Sequence, residues 1–257
     1  PHAGSDFSAI STLAQKSGND WLISGHKAWI INAAVADLCV MYVQTDPAGG
    51  ARGIAGVLVD VSRDGIEREP AYAMAGQHSI GAGGFSLYEY RARSEEMFLP
   101  PGKAFASALG SINGARIYVA AMCCGMVASA LASAREYGLH RKTFGQTLHG
   151  HQGWRWTLAE AGAELDAARA QVDVAAGMID AGVDAQFAAA KCKVFATRMA
   201  ERHLGALMQA MGAEGLRDHY PLARHRIGVQ MASLTDGSTQ MLLDRIAANL
   251  AGDNPQF

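Results

Sequence analysis

Leu99-Pro100-Pro101-Gly102, running into Lys103-Ala104-Phe105-Ala106-Ser107-Ala108-Leu109-Gly110, divides the chain into two stretches of different character. Beyond it, alanine, leucine and methionine dominate, and apolar residues recur at three- and four-residue intervals, the period of a helix face. The spacing predicts long helices over about 103–138, 152–181 and 184–213, and a last one over about 236–250. The breaks fall at Phe144-Gly145 through Gly150, at Ala181-Gly182, and from Gly212 through Pro221. Long helices joined by short links form an up-and-down bundle. The Ala-rich stretch from Ala159 to Ala176 suits close helix packing, within a subunit or between subunits.

Before Leu99 the pattern is that of strands. Trp21 to Ile31 carries two strand-like runs separated by a turn at Gly25, and Leu38 to Thr45 and Ile54 to Val61 are rich in β-branched residues. Asp46-Pro47-Ala48-Gly49-Gly50 separates the latter two as a turn, because proline presets φ and glycine permits positive φ. Phe85-Ser86-Leu87-Tyr88-Glu89-Tyr90 alternates as a half-buried strand does. Short strands with regular turns imply an antiparallel barrel or sandwich. The fold class is therefore α+β: a β-barrel-like domain over residues 1–102, then a helical bundle over 103–257.

Composition narrows the function. The chain has 257 residues, 49% hydrophobic and only 18% charged, enough to bury a core and too apolar to be disordered. A formal net charge of −2 offers no electrostatic case for nucleic acid or an anionic membrane. No apolar run is read as reaching the roughly 20 residues of a membrane helix, and no secretory signal is visible. Cys39, Cys123, Cys124 and Cys192 lack metal or disulfide spacing and read as reduced, buried thiols in a cytoplasmic compartment. His149-Gly150-His151 and His203, His219 and His225 have no Cys or carboxylate at ligand spacing, so no metal site is expected.

Several segments, taken in order, resemble the acyl-CoA dehydrogenase family: Pro1-His2-Ala3-Gly4-Ser5-Asp6, Trp29-Ile30-Ile31-Asn32, Arg141-Lys142-Thr143-Phe144-Gly145, Gln209 to Gly215, and Asp236-Gly237-Ser238-Thr239-Gln240. The resemblance runs from Pro1 to about Leu250. It does not include the family's usual N-terminal helical domain, so a truncated enzyme or a short subunit is expected. What it implies is an FAD-dependent oxidation of an acyl thioester at its α and β carbons. Such chemistry needs a carboxylate base in an apolar pocket, a flavin as hydride acceptor, and donors that polarise the thioester carbonyl.

By that resemblance, Asp236 falls where the family carries its glutamate base, in Thr235-Asp236-Gly237-Ser238-Thr239 against the family's Tyr-Glu-Gly-Thr-Ser. Read without the resemblance, it is an ordinary helix N-cap. The family's alternative base position, just before Arg116, holds Ala115. The flavin contacts implied are Gly4, Ser5, Trp29 and Ile31, with Ile31 standing where the family has a threonine that bonds the flavin ring. Arg141 and Phe144 fall in the segment that reaches a partner's FAD diphosphate, and arginine suits phosphate because its fork binds oxygens in pairs. Gln152, Gln209, Gly212, Ala213, Ser238 and Gln240 complete the implied cofactor set, with Ala213 replacing a glycine. Ser5, Asn113, Arg116 and Gly237 are the implied acyl-CoA contacts. Ile227-Gly228-Val229-Gln230 replaces the family's Arg-Asp-Ala-Lys.

The partners implied are an acyl-CoA substrate, an electron-transfer flavoprotein or similar acceptor, and further copies of the chain in a homodimer or homotetramer. Two other readings stay open: a non-catalytic or half-site subunit, and a related flavin-dependent reductase or elimination enzyme.

Overall fold

A computed structural model of the chain describes residues 3–252; Pro1, His2 and residues 253–257 lie outside it. The chain separates into two compact units, Pro1–Gly110 and Ser111–Phe257.

The first unit is a six-stranded sheet of β1 (Leu13–Ser17), β2 (Asp20–Ile30), β3 (Leu38–Gln44), β4 (Ile54–Asp60), β5 (Ile66–Arg68) and β6 (Gly83–Ala92), in the order β4-β3-β1-β2-β6-β5. Every pairing is antiparallel except the short parallel contact between β1 and β3, and the sheet curls into a half-barrel. Its core is Ile23, Val43, Val57, Val59, Phe85, Leu87 and Tyr90, contributed by alternating positions along the strands. The Tyr90 hydroxyl accepts a hydrogen bond from the Asp60 N–H at 3.0 Å, so the buried ring keeps its polar end satisfied.

One expectation for this unit is corrected. Trp21 to Ile31 is not two runs broken at Gly25 but one strand, β2, with a bulge where its register against β6 shifts between Ile23 and Gly25. Gly25 has φ +142° there, and a Cβ on it would stand 2.8 Å from Thr12 Cα, so the glycine serves a bulge and a close crossing rather than a turn. The strands β1 and β5 escaped the sequence reading because Leu13–Ser17 has only two apolar residues and Ile66–Arg68 has one.

The second unit contains most of α1 (Ala104–His140), then α2 (Gln152–Asp180), α3 (Gln186–Ala210), α4 (Leu222–Leu234) and α5 (Thr239–Leu250). A hairpin of β7 (Lys142–Thr143) and β8 (Gln146–Thr147) joins α1 to α2. The core is built largely of small side chains, including Ala120, Ala130, Ala161, Ala168, Ala196 and Ala200, with Met199 and Leu204 filling the wider gaps. Helix α4 falls in a stretch to which the sequence spacing assigns no element: Arg224, His225, Arg226, Gly228 and Gln230 interrupt any apolar stripe, and packing of Leu222, Val229 and Ala232 holds the helix instead.

Helix α1 also overturns the expectation that no apolar run is long enough to cross a membrane. It meets that test by length and composition, and half of its most apolar stretch is buried within the protein. Cys123, Cys124 and Cys192 are buried, whereas Cys39 is only half-buried.

Candidate functional site

The densest arrangement of buried charge lies where α4 hands over to α5. Helix α4 ends at Leu234, Thr235 is extended, and Asp236 then adopts φ +54°, a left-handed conformation that costs a non-glycine residue on the order of 1 kcal/mol. Gly237 follows at φ +95°, and Ser238 caps α5, its hydroxyl accepting from the Met241 N–H at 3.4 Å. The N-cap is thus Ser238 and not Asp236, which leaves the aspartate free of the ordinary structural role for such a residue.

Two buried cations hold this corner. Arg116 of α1, 3% exposed, donates from Nε to the Asp236 carbonyl at 3.0 Å and from Nη1 to Asn113 Oδ1 at 3.1 Å. Lys193 of α3, 1% exposed, donates from Nζ to the Thr235 carbonyl at 2.5 Å and to the Gly237 carbonyl at 2.7 Å. Three consecutive carbonyls therefore end on two cations from two different helices. The Asp236 N–H has no hydrogen-bond partner among the described residues.

The electrostatics follow from burial. Desolvation pushes the Asp236 carboxyl above its ordinary 3.8, against the opposing pull of the Lys193 and Arg116 charges. Burial brings Lys193 down to about 8, although Asp236 favours its charged form, and it lowers Arg116 as well. A carboxyl whose pKa is raised by a partly dry setting is a stronger base than a free one.

Lys193 did not emerge from the sequence. The available signal was its spacing: it lies four residues after Ala189 and three before Ala196, both fully buried, on the inward face of an Ala-rich helix. A lysine there needs partners, and none is local.

The remaining candidates of the helical unit lie at its other loops. In the β7–β8 hairpin, Phe144 (φ +50°) and Gly145 (φ +80°) form a two-residue turn of the type whose twist matches that of its strands. Phe144 is 98% exposed, so a large apolar ring is held in a strained backbone on the outside of the protein. Arg141, at the hairpin base, is exposed. Gln152 is exposed at the start of α2.

Trp154 ties this hairpin to the other glycine loop. Its Nε1 donates to the Ala210 carbonyl at 2.9 Å, and its ring fills the space that a Cβ on Gly138 would need, 2.1 Å from Trp154 Cη2. At the end of α3, Gln209, Gly212 (φ +60°) and Ala213 are exposed, while Gly215 is buried with Met208 O only 2.5 Å from where its Cβ would be. Gln240 is exposed on α5.

In the sheet unit, Trp29 has φ +60° and is 70% exposed, its ring edge-on to Tyr72 with centroids 4.8 Å apart. Ile31 is half exposed beside it, and Gly4 and Ser5 are exposed. Gly4 and Trp29 line a cleft of about 280 Å³ together with Phe7, Lys27, Cys39 and Tyr42. An outward aromatic platform beside an apolar cleft fits a planar, fused-ring cofactor.

The comparisons with known proteins agree with this layout. The model of the acyl-CoA dehydrogenase middle domain matches residues 1–89, and that of the acyl-CoA dehydrogenase C-terminal domain matches residues 102–251. A 3-sulfinopropanoyl-CoA desulfinase of Paraburkholderia xenovorans is 31% identical over 98% of this chain, and a short-chain specific acyl-CoA dehydrogenase of Clostridium acetobutylicum is 28% identical over 94%. These alignments span 66% and 64% of the two relatives, so the chain covers about two thirds of their length. The solved structure of butyryl-CoA dehydrogenase from Megasphaera elsdenii superposes with a TM-score of 0.95 at 29% identity, over 98% of this chain and 66% of that one. With family models covering both units in order, the chain belongs to the acyl-CoA dehydrogenase family.

Proposed function

We propose that this protein acts as an FAD-dependent acyl-CoA dehydrogenase, in which Asp236 removes the α proton of an acyl-CoA thioester. The observation that carries the proposal is the Asp236 corner: a desolvated carboxyl in a left-handed backbone conformation, fixed by two buried cations and spared from capping α5.

FAD, when bound, supplies the acceptor for the two electrons and the β hydrogen. Gly4, Ser5, Trp29 and Ile31 would hold its ring, Ile31 by packing alone. Arg141 and Phe144 would reach the diphosphate of a partner subunit's FAD, and Gln209, Gly212 and Ala213 would approach that same FAD, with Gln152, Ser238 and Gln240 completing the set. Asn113, Arg116, Ser5 and Gly237 orient the acyl-CoA, and the unpartnered Asp236 N–H polarises the thioester carbonyl as the α proton leaves. The reduced cofactor would need an acceptor such as an electron-transfer flavoprotein, and the working unit would be a homo-oligomer.

A second reading is favoured by the similarity to the desulfinase and by Ile31, which removes a polar contact from the flavin ring: α-proton removal coupled to loss of a β substituent, with no net oxidation. Anaerobic incubation of the full-length flavoprotein with a panel of acyl-CoAs separates the two. Lasting bleaching of the flavin with formation of the enoyl-CoA supports the dehydrogenase; release of a β substituent with the flavin left oxidised supports the elimination. A protein that takes up no FAD contradicts both and leaves the half-site subunit.

A further inference from the structure

We propose that Lys193 is a positioning residue for Asp236: from the middle of α3 it holds the main chain on both sides of the aspartate and supplies the positive charge that keeps its carboxyl available as a base. This rests on the reading of Asp236 as the base.

The geometry is specific. Lys193 Nζ reaches the carbonyls of Thr235 and Gly237, the residues immediately before and after Asp236, at 2.5 and 2.7 Å. A side chain bonded to the carbonyls at i−1 and i+1 fixes both peptide planes that flank the left-handed residue. It therefore opposes relaxation of Asp236 toward an ordinary helical or extended conformation. Arg116 completes the clamp from α1 through the Asp236 carbonyl itself. Burying an ammonium with 1% exposure is costly, and Thr197, the other polar side chain on this face, bonds back to its own helix at Lys193 O and leaves Nζ to the loop. A surface salt bridge or an arm stabilising α3 alone would not take this form.

The charges around Asp236 come from three helices: Lys193 on α3, Arg116 on α1 and, acting on Arg116, Arg245 on α5. Cys123 of α1 also faces Lys193, and burial keeps that thiol protonated, up to about 12. Of these, Lys193 and Arg116 are the charges that offset desolvation of the Asp236 carboxyl, so removing Lys193 moves its titration upward and shifts the acid limb of turnover to higher pH.

The test uses the full-length, FAD-loaded protein as wild type, Lys193→Met and Asp236→Asn. Infrared pH titration follows the carboxyl band that disappears in Asp236→Asn, and steady-state kinetics follow the pH profile with the best acyl-CoA substrate. In Lys193→Met the expected result is a carboxyl midpoint raised by about one pH unit or more. The same variant should lose about a hundredfold in kcat, with KM changed less than about twofold. Wild-type kcat with an unmoved midpoint overturns the proposal, and so does a fall in kcat that only tracks lost FAD while the midpoint stays put. Full turnover in Asp236→Asn would instead refute the base assignment, and the infrared midpoint would still decide whether Lys193 governs the carboxyl. If Lys193→Met does not fold, Lys193→Gln keeps a donor of similar length without the charge, and the same midpoint shift is required of it.

Discussion

Arg116 Nε donates to the main-chain carbonyl of Asp236 at 3.0 Å across 120 residues of sequence. The bond links the first long helix to the last corner of the fold and gives a buried guanidinium a fixed acceptor. Arg116→Met is therefore expected to leave that carbonyl and Asn113 Oδ1 unpaired, costing about 1–3 kcal/mol. Thermal and urea unfolding of the helical unit's transition measures the loss, and acyl-CoA turnover should fall with it. Arg116→Lys, lacking the fork, is expected to recover only part.

Asp236→Asn gives the sign of the aspartate's own contribution. A carboxyl whose folded pKa lies above its unfolded value binds more protons folded than unfolded over that interval, so it withdraws stability as pH rises through the interval. Asparagine also tolerates the left-handed backbone. The variant should match wild type in Tm well below pH 3.8 and exceed it at pH 7, while losing activity. A Tm difference independent of pH would show that the carboxyl is not desolvated.

Gly138→Ala places a methyl group where Trp154 Cη2 now stands 2.1 Å away. The indole must move, its bond to the Ala210 carbonyl at 2.9 Å must stretch, and a cost of about 1–3 kcal/mol follows. Trp154→Phe, which loses that bond without overpacking, is expected to cost about 1 kcal/mol. Chemical unfolding ranks the two, and FAD retention reports whether the Arg141 hairpin has shifted.

Thiol reactivity separates the cysteines. Burial raises Cys123 and Cys192 to about 12 and raises Cys124 and Cys39 as well, Cys39 against the opposing pull of Arg68, so access rather than ionisation separates them. Of the four cysteines, only half-buried Cys39 is expected to react promptly with a disulfide reagent in the native, flavin-free protein. All four should react after denaturation. Saturating FAD is expected to slow Cys39, which lines the same cleft as Trp29.

Much of this fold was legible because its signals are local. The change of composition at Leu99 to Gly102 marks the passage from strands to helices, and the apolar period of α1, α2 and α3 places them within a few residues. Helix α4 carried no such period, and β5 exists because β6 pairs with three residues that would not be a strand alone. At the candidate site, Asp236 and Arg116 could be picked out through the family's motifs, whereas Lys193 could not. Its function depends on two carbonyls more than 40 positions away, and neither spacing nor composition encodes a side chain's acceptors.

Proton exchange at the substrate tests the role of Asp236 most directly. The full-length flavoprotein, incubated anaerobically in deuterated water with an acyl-CoA it binds, is assayed by mass spectrometry for deuterium at the α carbon. Exchange in wild type that disappears in Asp236→Asn, with FAD and acyl-CoA still bound, is the expected result. Undiminished exchange in Asp236→Asn would contradict it and place the base elsewhere.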